Sequence, residues 1–387
     1  MNLAYRFAGS YRSTTPESTL ARFLPRAAEH GITRLAEITH LDSLGIPAWA
    51  AIRPASRTVQ VANGKGWKSS HAKVSALMEA IELHHAENPP RLHRASLAEL
   101  QAQGTNSLAP RELHDFSNAF FSDDYRIEWV AGEDLVTGKS AWLPASHVYF
   151  GCSPSLHRTS SNGLASGNDL TEATLHALYE LVEREAVSRL FDKGALRLEG
   201  ATVIDPATLP GSILPDLVGR ISAANLELRL LRVSAPVAIE VVWAILLDPS
   251  AQDAMTTLNM GWGAQPDFEA ASIRAITEAA QTRLAIIHGA RENIIEKRAY
   301  GAGGAQDSKA FAFFRDLPTG RSWQGQEIEA APEEARDLDR DLEELIDDLR
   351  NTGFPRIYRV DLSRPPRPIP VVKLVVPGFG LNASLFG

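Results

Sequence analysis

The sequence predicts an α/β protein of the α+β type, with mixed, mainly antiparallel sheets and packed helices. β-rich runs and amphipathic helices alternate throughout the 387 residues. Several neighbouring β-rich runs are joined by turns short enough for antiparallel hairpins. In addition, one unit occurs three times: a β-rich run, a glycine loop and a helix with a single polar stripe. Together these observations favour one main domain built from related strand–helix units.

The N-terminal half begins with a helix that Thr15 or Ser18 caps and that ends before Gly31. Beyond it, β-rich segments are bounded by turn residues, and helices by capping residues or prolines. The predicted elements are the helix at 15–30, short β-rich runs between 32 and 63, a glycine loop at 64–67, a helix at about 71–87, a helix within the connection 89–104, and a hairpin at 126–150 that turns at Thr137–Gly138.

The remainder of the chain repeats this alternation and includes a long helix. Its acidic helix presents charges that are most simply a solvated face. The predicted elements are the helix that follows the glycine turn of 161–185, two strands within 226–249, a strand, glycine loop and long helix within 256–295, loops at 300–308 and 318–325, the acidic helix at 333–350, and strands at 356–362 and 370–376.

Composition excludes several classes of function. Hydrophobic residues make up 44% and charged residues 22% of the chain, which is typical of a globular protein. The net charge is −8 and there is no basic run, so nucleic acid is not expected as the main ligand. No apolar segment is long enough for a signal peptide or a membrane span, so we expect a cytoplasmic protein without a membrane partner. The single cysteine, Cys152, excludes an internal disulfide and a multi-cysteine metal site.

The helix within 161–185 carries an unusual acidic stripe. Glu172, His176, Glu180 and Glu183 follow at i, i+4, i+8 and i+11, which places them on one face. Most of the remaining circumference is apolar and therefore expected to be buried. Three glutamates on such a helix need a cation or a shared proton to be tolerated. The stripe is therefore a candidate metal site.

Two other helices repeat the stripe. The first residue of each E-x-x-E or E-x-x-Q pair follows a loop glycine by 15, 17 and 17 residues, counted from Gly64, Gly163 and Gly261. One acidic pair on a helix is common, but three in register on largely apolar helices predict convergence on one site. The three stripes are Ser75, Glu79 and Glu82; His176, Glu180 and Glu183; and Arg274, Glu278 and Gln281.

The residue types of these stripes indicate a nucleotide site. Carboxylates without a histidine pair suit Mg²⁺ or Ca²⁺, and Mg²⁺ usually shares its ligands with substrate phosphates. Lys65, Arg184 and Arg283 are cations suited to phosphate oxygens, and glycine loops before helices offer backbone N–H groups to anions. The site is not a P-loop, because G-x-x-x-x-G-K-[ST] is absent. The five candidate metal ligands are Glu79, Glu82, Glu172, Glu180 and Glu183.

These motifs resemble the YcaO family. The resemblance rests on S-x-x-x-E-x-x-E at 75–82, NGLASG and ELVERE within 162–185, RAITEAAQTR at 274–283 and the ending VVKLVVPGFG. The N-terminal block, with NGKG and KVSALMEAIELHHAE, is similar to the branch that works with TfuA proteins. We therefore expect a YcaO-type ATP-binding fold, with a YcaO domain at 61–387 and an N-terminal segment, 1–60, packed on it.

The resemblance implies an enzyme that uses ATP and Mg²⁺ to activate a peptide-backbone amide. It also implies a TfuA-like partner, a peptide or protein substrate and a homodimer. By motif position, all five glutamates would hold Mg²⁺, and Glu183 and Arg184 would act in catalysis. Arg291 is a weaker basic candidate near a loop. The residues that would contact ATP are Lys65, Ser75, Glu79, His176, Arg184, Glu278, Gln281 and Arg283.

Three functions remain open at this point. A backbone thioamide, made with sulfide and a TfuA-like protein, is favoured because the proline-rich PPRPIP at 365–370 is internal, whereas azoline-forming members often end in such a tail. The second function is azoline formation by cyclodehydration of a ribosomally made peptide. The third is a nucleotide-binding accessory protein that assists a separate modification enzyme and performs no chemistry itself.

Overall fold

The computed structural model describes residues 2–114, 116–118, 120–157, 160–192, 195–251, 254–290, 309–323, 335–366 and 368–380. The candidate Arg291 and the predicted loop at 300–308 lie outside the described residues, as does part of the predicted loop at 318–325.

Helices account for much of the described chain, and three of them are long. Those three, α2, α5 and α8, lie at or close to the predicted positions. In chain order the α-helices are α1 (Pro16–Phe23), α2 (Ser69–Glu87), α3 (Leu97–Ala102), α4 (Ala145–Val148), α5 (Leu170–Ser188), α6 (Ile213–Ala223), α7 (Ala254–Thr257), α8 (Phe268–His288), α9 (Lys309–Arg315) and α10 (Leu338–Asn351).

The strands are mostly short. In chain order they are β1 (Leu3–Arg6), β2 (Tyr11–Arg12), β3 (Arg34–Glu37), β4 (Ala48–Ile52), β5 (Val61–Lys65), β6 (His93–Ala95), β7 (Ile127–Asp134), β8 (Lys139–Pro144), β9 (Leu164–Ser166), β10 (Phe191–Asp192), β11 (Ala195–Leu196), β12 (Ala201–Ile204), β13 (Glu227–Val233), β14 (Glu240–Leu247), β15 (Leu258–Gln265), β16 (Arg336–Asp337), β17 (Tyr358–Asp361) and β18 (Val371–Val375).

The sheets are antiparallel at every pairing between these strands. Three sheets build the core: β3-β4-β5, β12-β13-β14-β15, and the sheet that follows β6-β7-β17-β18-β9 with β8 beside β7. The predicted α+β fold with mainly antiparallel sheets is confirmed. For strands joined by short turns, such as β7 with β8 and β13 with β14, antiparallel order follows because a parallel neighbour needs a long crossover.

Several local predictions are confirmed by their caps and turns. The side chain of Thr15 caps α1 by accepting a hydrogen bond from the backbone N–H of Ser18. Gly31 ends the following 3₁₀ turn, Leu24–His30, with a φ of 72°. In the hairpin of β7 and β8, Gly138 also has a positive φ, as the turn requires.

The predicted glycine loops are wrong, because the glycines lie mainly in strands. Gly64 belongs to β5, and Gly261 and Gly263 belong to β15. A Cβ atom on Gly64 would lie 2.1 Å from the backbone nitrogen of Ala76 on α2. A Cβ on Gly263 would lie 2.2 Å from the carbonyl oxygen of Ala271 on α8. The glycines therefore permit close packing of a strand on its own helix.

This packing gives the true register of the repeat. Gly64 faces Ala72 and Ala76 of α2, and Gly263 faces Ala271 and Ala275 of α8. Each residue of the second set lies 199 positions after its counterpart in the first, so the two units correspond with a shift of 199 residues. The same shift carries Glu79 onto Glu278. Three strand–helix units result, β5 with α2, β9 with α5 and β15 with α8, and each helix packs on its own strand.

The N-terminal segment is joined to the rest of the chain by shared sheets. β4 pairs with β5 over five residue pairs, and β1 pairs with β16 near the C-terminal end. The predicted boundary between 60 and 61 therefore falls inside a sheet. Among the described residues, no helix has both the length and the apolar composition that crossing a bilayer requires.

Candidate nucleotide and magnesium site

The polar stripes of α2, α5 and α8 face one cavity of about 560 Å³. The N-terminal segment, through residues 7–19, closes another side of it. The structure thus brings together eleven of the twelve side chains that the sequence singled out as site residues. These are Lys65, Ser75, Glu79, Glu82, Glu172, His176, Glu180, Glu183, Arg184, Glu278 and Gln281.

Glu278 joins two basic residues of the cavity, Lys65 and Arg184. The Lys65 ammonium group donates to Glu278 Oε2, and Arg184 Nη2 lies 3.9 Å from Glu278 Oε1. Burial alone would raise the pKa of Glu278, but Lys65 and Arg184 outweigh it and hold the pKa below its ordinary value. The Arg184 guanidinium also lies over the ring of Trp262 at 5.4 Å. Both cations are therefore held at the cavity wall by α8 and its strand.

The remaining carboxylates are crowded. Burial raises the pKa of Glu82 to about 8, and the nearby charges of Glu79 and Glu180 add to that rise, although Ser166 donates two hydrogen bonds to Glu82 Oε1. Burial likewise raises the pKa of Glu183 to about 7. A raised carboxyl pKa means that negative charge is poorly compensated at this place. A divalent cation would supply the missing compensation.

Glu172 is already engaged by the N-terminal segment. Its Oε2 accepts hydrogen bonds from the backbone N–H of Ser13 at 2.9 Å and from Ser13 Oγ at 2.8 Å. Arg12 Nη1 and the backbone N–H of Asn168 each approach Glu172 Oε1 to 3.1 Å. Burial would raise its pKa, but Arg12 and Ser13 hold the pKa below the ordinary value. A metal-ligand role for Glu172 stays a prediction.

His176 lies between two arginines. Arg12 Nη2 faces its Nδ1, and Arg274 Nη2 is 3.3 Å from its Nε2. Burial, and then the charges of Arg12 and Arg274, hold the pKa of His176 well below 6.5, so the imidazole is neutral. A neutral imidazole can accept a hydrogen bond at only one nitrogen. One guanidinium therefore lacks an acceptor there, and Arg274 Nε has no hydrogen-bond partner among the described residues. An anion such as a phosphate could accept hydrogen bonds from that guanidinium and from Arg274 Nε.

Among the described residues with a predicted site role, Arg283 alone is not part of the cavity lining. It lies two residues after Gln281, which is about 200° around an α-helix and so on another face. There it pairs with Asp42, at 3.1 Å from Nε to Oδ2, and with Asp248, at 3.0 Å from Nη1 to Oδ2. These ion pairs tie α8 to neighbouring loops, and a phosphate contact of Arg283 stays a prediction.

Sequence reasoning missed part of the lining. Arg12 lines the cavity from a two-residue strand, and Ser13, which follows that strand, hydrogen-bonds to Glu172. Such a short strand has no periodic pattern that could reveal either residue. Ser166 lies at the end of β9, within a recognised motif, but nothing in that motif pointed to Glu82. Arg274 heads the third predicted stripe and does line the cavity, but its spacing does not indicate its contact with His176.

The donor set fits magnesium, although it is not assembled into a closed cage. Among the described residues, no three acidic, histidine or cysteine side chains surround one point as metal ligands. Mg²⁺ does not require such a cage, because it commonly binds one or two carboxylates, waters and substrate phosphates. The crowded Glu82 and Glu183 offer carboxylates of this kind, and the basic residues beside them suit phosphate.

The fold and the cavity together define a class of α+β nucleotide-binding protein whose site is lined by carboxylates and cations from three repeated helices. A family model, described as YcaO cyclodehydratase, ATP- and Mg²⁺-binding, matches residues 63–380. The chain therefore belongs to the YcaO family. The predicted cofactors, ATP and Mg²⁺, are those of this family.

Uncharacterised relatives extend the similarity to almost the whole chain. A protein of Methanothermobacter thermautotrophicus is 32% identical over 380 residues, which cover 95% of this chain and 94% of that protein. A protein of Rhizobium leguminosarum bv. trifolii, described by its place in the tfuA 3′ region, is 32% identical over 393 residues and covers 96% of this chain and 89% of its own length.

Solved structures share the fold. YcaO from Methanopyrus kandleri, bound with AMPPCP and Mg²⁺, has a TM-score of 0.71 and 22% identity, and the match covers 98% of this chain and 95% of that one. A heterocyclase in complex with substrate and cofactor has a TM-score of 0.73 and 22% identity, covering 98% of this chain and 54% of that one. At such identity the likeness establishes the fold.

Proposed function

We propose that this protein uses ATP to activate a peptide-backbone amide and installs a thioamide with sulfide and a TfuA-like partner. The observation that carries the proposal is the convergence of three polar stripes, with their glutamates and arginines, on one cavity. Membership of an ATP- and Mg²⁺-binding family supports the use of ATP.

The chain's own residues divide into two groups around the nucleotide. Glu79, Glu82, Glu180 and Glu183 would hold Mg²⁺, which neutralises phosphate charge when it is bound. A further group would bind and orient the phosphates by charge and hydrogen bonding, so that the site works by positioning rather than by covalent catalysis. This group consists of Lys65, Arg184, Arg12, Arg274, Ser75, Gln281 and the neutral His176, with Glu278 holding Lys65 and Arg184 in place.

The proposed reaction balances without an oxidant. The amide oxygen forms a bond to the γ-phosphorus while the bond from that phosphorus to the bridging oxygen breaks, and ADP leaves with the electron pair. Sulfide then adds to the amide carbon, and phosphate departs with the original amide oxygen. The net change exchanges oxygen for sulfur in the peptide and converts ATP to ADP and phosphate. Arg184 would stabilise the charge that develops on the transferred group.

Sulfur as the nucleophile is supported by the relative described by its position beside tfuA, which matches this chain over nearly its whole length. The TfuA-like partner and the homodimer stay predictions. Azoline formation is the second candidate, because the family description names cyclodehydration. A non-catalytic accessory role is the third.

The test incubates the purified protein with MgATP, sulfide, a TfuA-like protein and candidate peptides, and follows peptide mass and phosphate release. Exchange of oxygen for sulfur supports thioamidation. Loss of water supports azoline formation, and an unchanged peptide with every candidate would contradict both.

Glu183→Gln provides the matched negative control for this assay. The substitution replaces a carboxylate that lines the cavity with an amide of nearly the same shape. The rate of phosphate release is therefore expected to fall about a hundredfold. Glu343→Gln makes the same change on the exposed surface of α10 and should leave the rate unchanged. Wild-type turnover in Glu183→Gln would rule out the proposed role of Glu183.

A further inference from the structure

One lysine is buried inside an apolar strand. β18 reads VVKLV, all five residues are buried, and the side chain of Lys373 belongs to a residue that is only 2% exposed. On the same face of the strand, Val371 and Val375 pack in a hydrophobic cluster with Leu83. Burial of an ammonium group is costly unless partners compensate it. A lysine at this position therefore has to be held by specific contacts.

The partners of Lys373 lie in a segment that contributes to the cavity wall. Its Nζ donates to the carbonyl oxygens of Ser160 at 2.9 Å and Asn162 at 2.6 Å. The next residue, Leu374, donates its backbone N–H to the carbonyl oxygen of Gly163 at 2.8 Å. The segment 160–163, here called the serine loop, is thus tied to β18 at three points. Ser160 and Ser161 both line the cavity.

The charge of Lys373 also reaches the carboxylates. α5 packs on β18, and the positive charge of Lys373 acts on Glu180 of that helix. Burial raises the pKa of Glu180, and the positive charge of Lys373 acts against that rise. Lys373 thus combines two effects, a fixed loop at the wall and a buried positive charge behind an acidic stripe.

We propose that Lys373 is a positioning residue of the nucleotide site. It holds the serine loop in the geometry that receives the magnesium–nucleotide complex and supplies fixed positive charge behind Glu180. This inference rests on the proposed function, because it requires the cavity to bind a nucleotide. A purely structural lysine would affect folding stability without a selective effect on nucleotide affinity.

The test measures binding of a non-hydrolysable ATP analogue with Mg²⁺ by calorimetry, alongside thermal unfolding, in the full chain. Lys373→Met should weaken binding about tenfold or more, as loss of residues that orient a metal site does. Lys373→Arg should restore most of the affinity, because the guanidinium is charged and can donate to the same carbonyls. Val375→Ala is the matched control: it creates a cavity on the same strand face and should lower stability while leaving affinity unchanged.

Wild-type affinity in Lys373→Met would overturn the inference, as would an equal loss of affinity in Val375→Ala. If Lys373→Met does not fold, Lys373→Gln replaces it in the test, because glutamine keeps a hydrogen-bond donor but has no charge. Lys373→Gln is expected to show the same loss of affinity for the ATP analogue. Absence of nucleotide binding in the wild type would instead contradict the proposed function itself, so the two failures are distinguishable.

Discussion

At the residue scale, Glu82 and Glu183 link proton binding to metal binding. Their carboxyl groups have pKa values of about 8 and about 7 in the metal-free protein, mainly because both are buried. At pH 7, Glu82 is therefore largely protonated and Glu183 is near its midpoint. A magnesium ion needs the carboxylate form, so its binding has to displace these protons.

We expect uptake of Mg²⁺ and nucleotide to release protons near pH 7 and to become tighter as the pH rises from 6 to 8. Calorimetry in buffers of different ionisation enthalpy measures the released protons directly. Glu82→Gln should reduce the proton release, whereas the exposed Glu343→Gln should not. Affinity that is independent of pH over this interval would contradict the assignment.

The raised pKa of Glu82 also predicts how this residue's contribution to folding stability depends on pH. In the folded, metal-free protein Glu82 titrates at about 8, above its ordinary value of 4.5, so the folded state binds more protons than the unfolded state between these values. The contribution of Glu82 to stability, measured as the difference between the wild type and Glu82→Gln, is therefore expected to fall as pH rises from about 5 to about 8, and Mg²⁺ with nucleotide should reduce this fall. Thermal unfolding against pH, with and without both ligands, tests it.

The sequence revealed the stripe residues because the helical period alone places them on one face. It could not reveal Arg12, whose contact with Glu172 joins residues 160 positions apart through a two-residue strand. Arg283 belongs to the RAITEAAQTR motif, but the motif does not indicate that the helix turns this side chain away from the stripe and toward Asp42 and Asp248.

At the element scale, the glycines of β5 and β15 set the distance between each strand and its helix. The sequence pattern predicts the order of β-rich run, glycines and helix, but it places the glycines in loops, whereas they lie in strands. Sequence alone did not separate the two cases, because glycine is favoured both in loops and where backbones approach closely. The contact of Gly64 with α2 exists only in the folded unit.

Gly64→Ala should destabilise the protein by about 3 kcal/mol, because its Cβ would meet the backbone of Ala76 and overpack the unit. Denaturant unfolding measures the change. Gly219→Ala is the matched control: Gly219 lies in α6 with open space around it, so alanine should be neutral or stabilise by up to about 1 kcal/mol. Equal stability of Gly64→Ala and the wild type would refute the close-packing explanation.

At the scale of the whole molecule, sheets and hydrogen bonds join the N-terminal segment to the remainder. β4 hydrogen-bonds to β5 across the predicted boundary, and Arg12 and Ser13 bind Glu172 of α5. The sequence indicated the packing of residues 1–60 on the core, but not that they share a sheet with it and complete the cavity. Pairing between strands on either side of a proposed boundary has no local signal.

A chain of residues 61–387 is therefore expected to lose cooperative unfolding. It would expose the edge of β5 and leave the buried Glu172 without Arg12 and Ser13. Thermal unfolding by circular dichroism, compared with the full chain, checks this. A cooperative transition at the full-chain temperature would instead support an independent domain at 61–387.

The central claim is that α2, α5 and α8 build one site for a magnesium–ATP complex. A crystal structure with a non-hydrolysable ATP analogue and Mn²⁺, read by anomalous scattering, tests it most directly. We predict metal peaks ligated by Glu79, Glu82, Glu180 or Glu183 and by the phosphates, with Arg184 on the phosphate oxygens. Metal and nucleotide bound outside this cavity would contradict the claim.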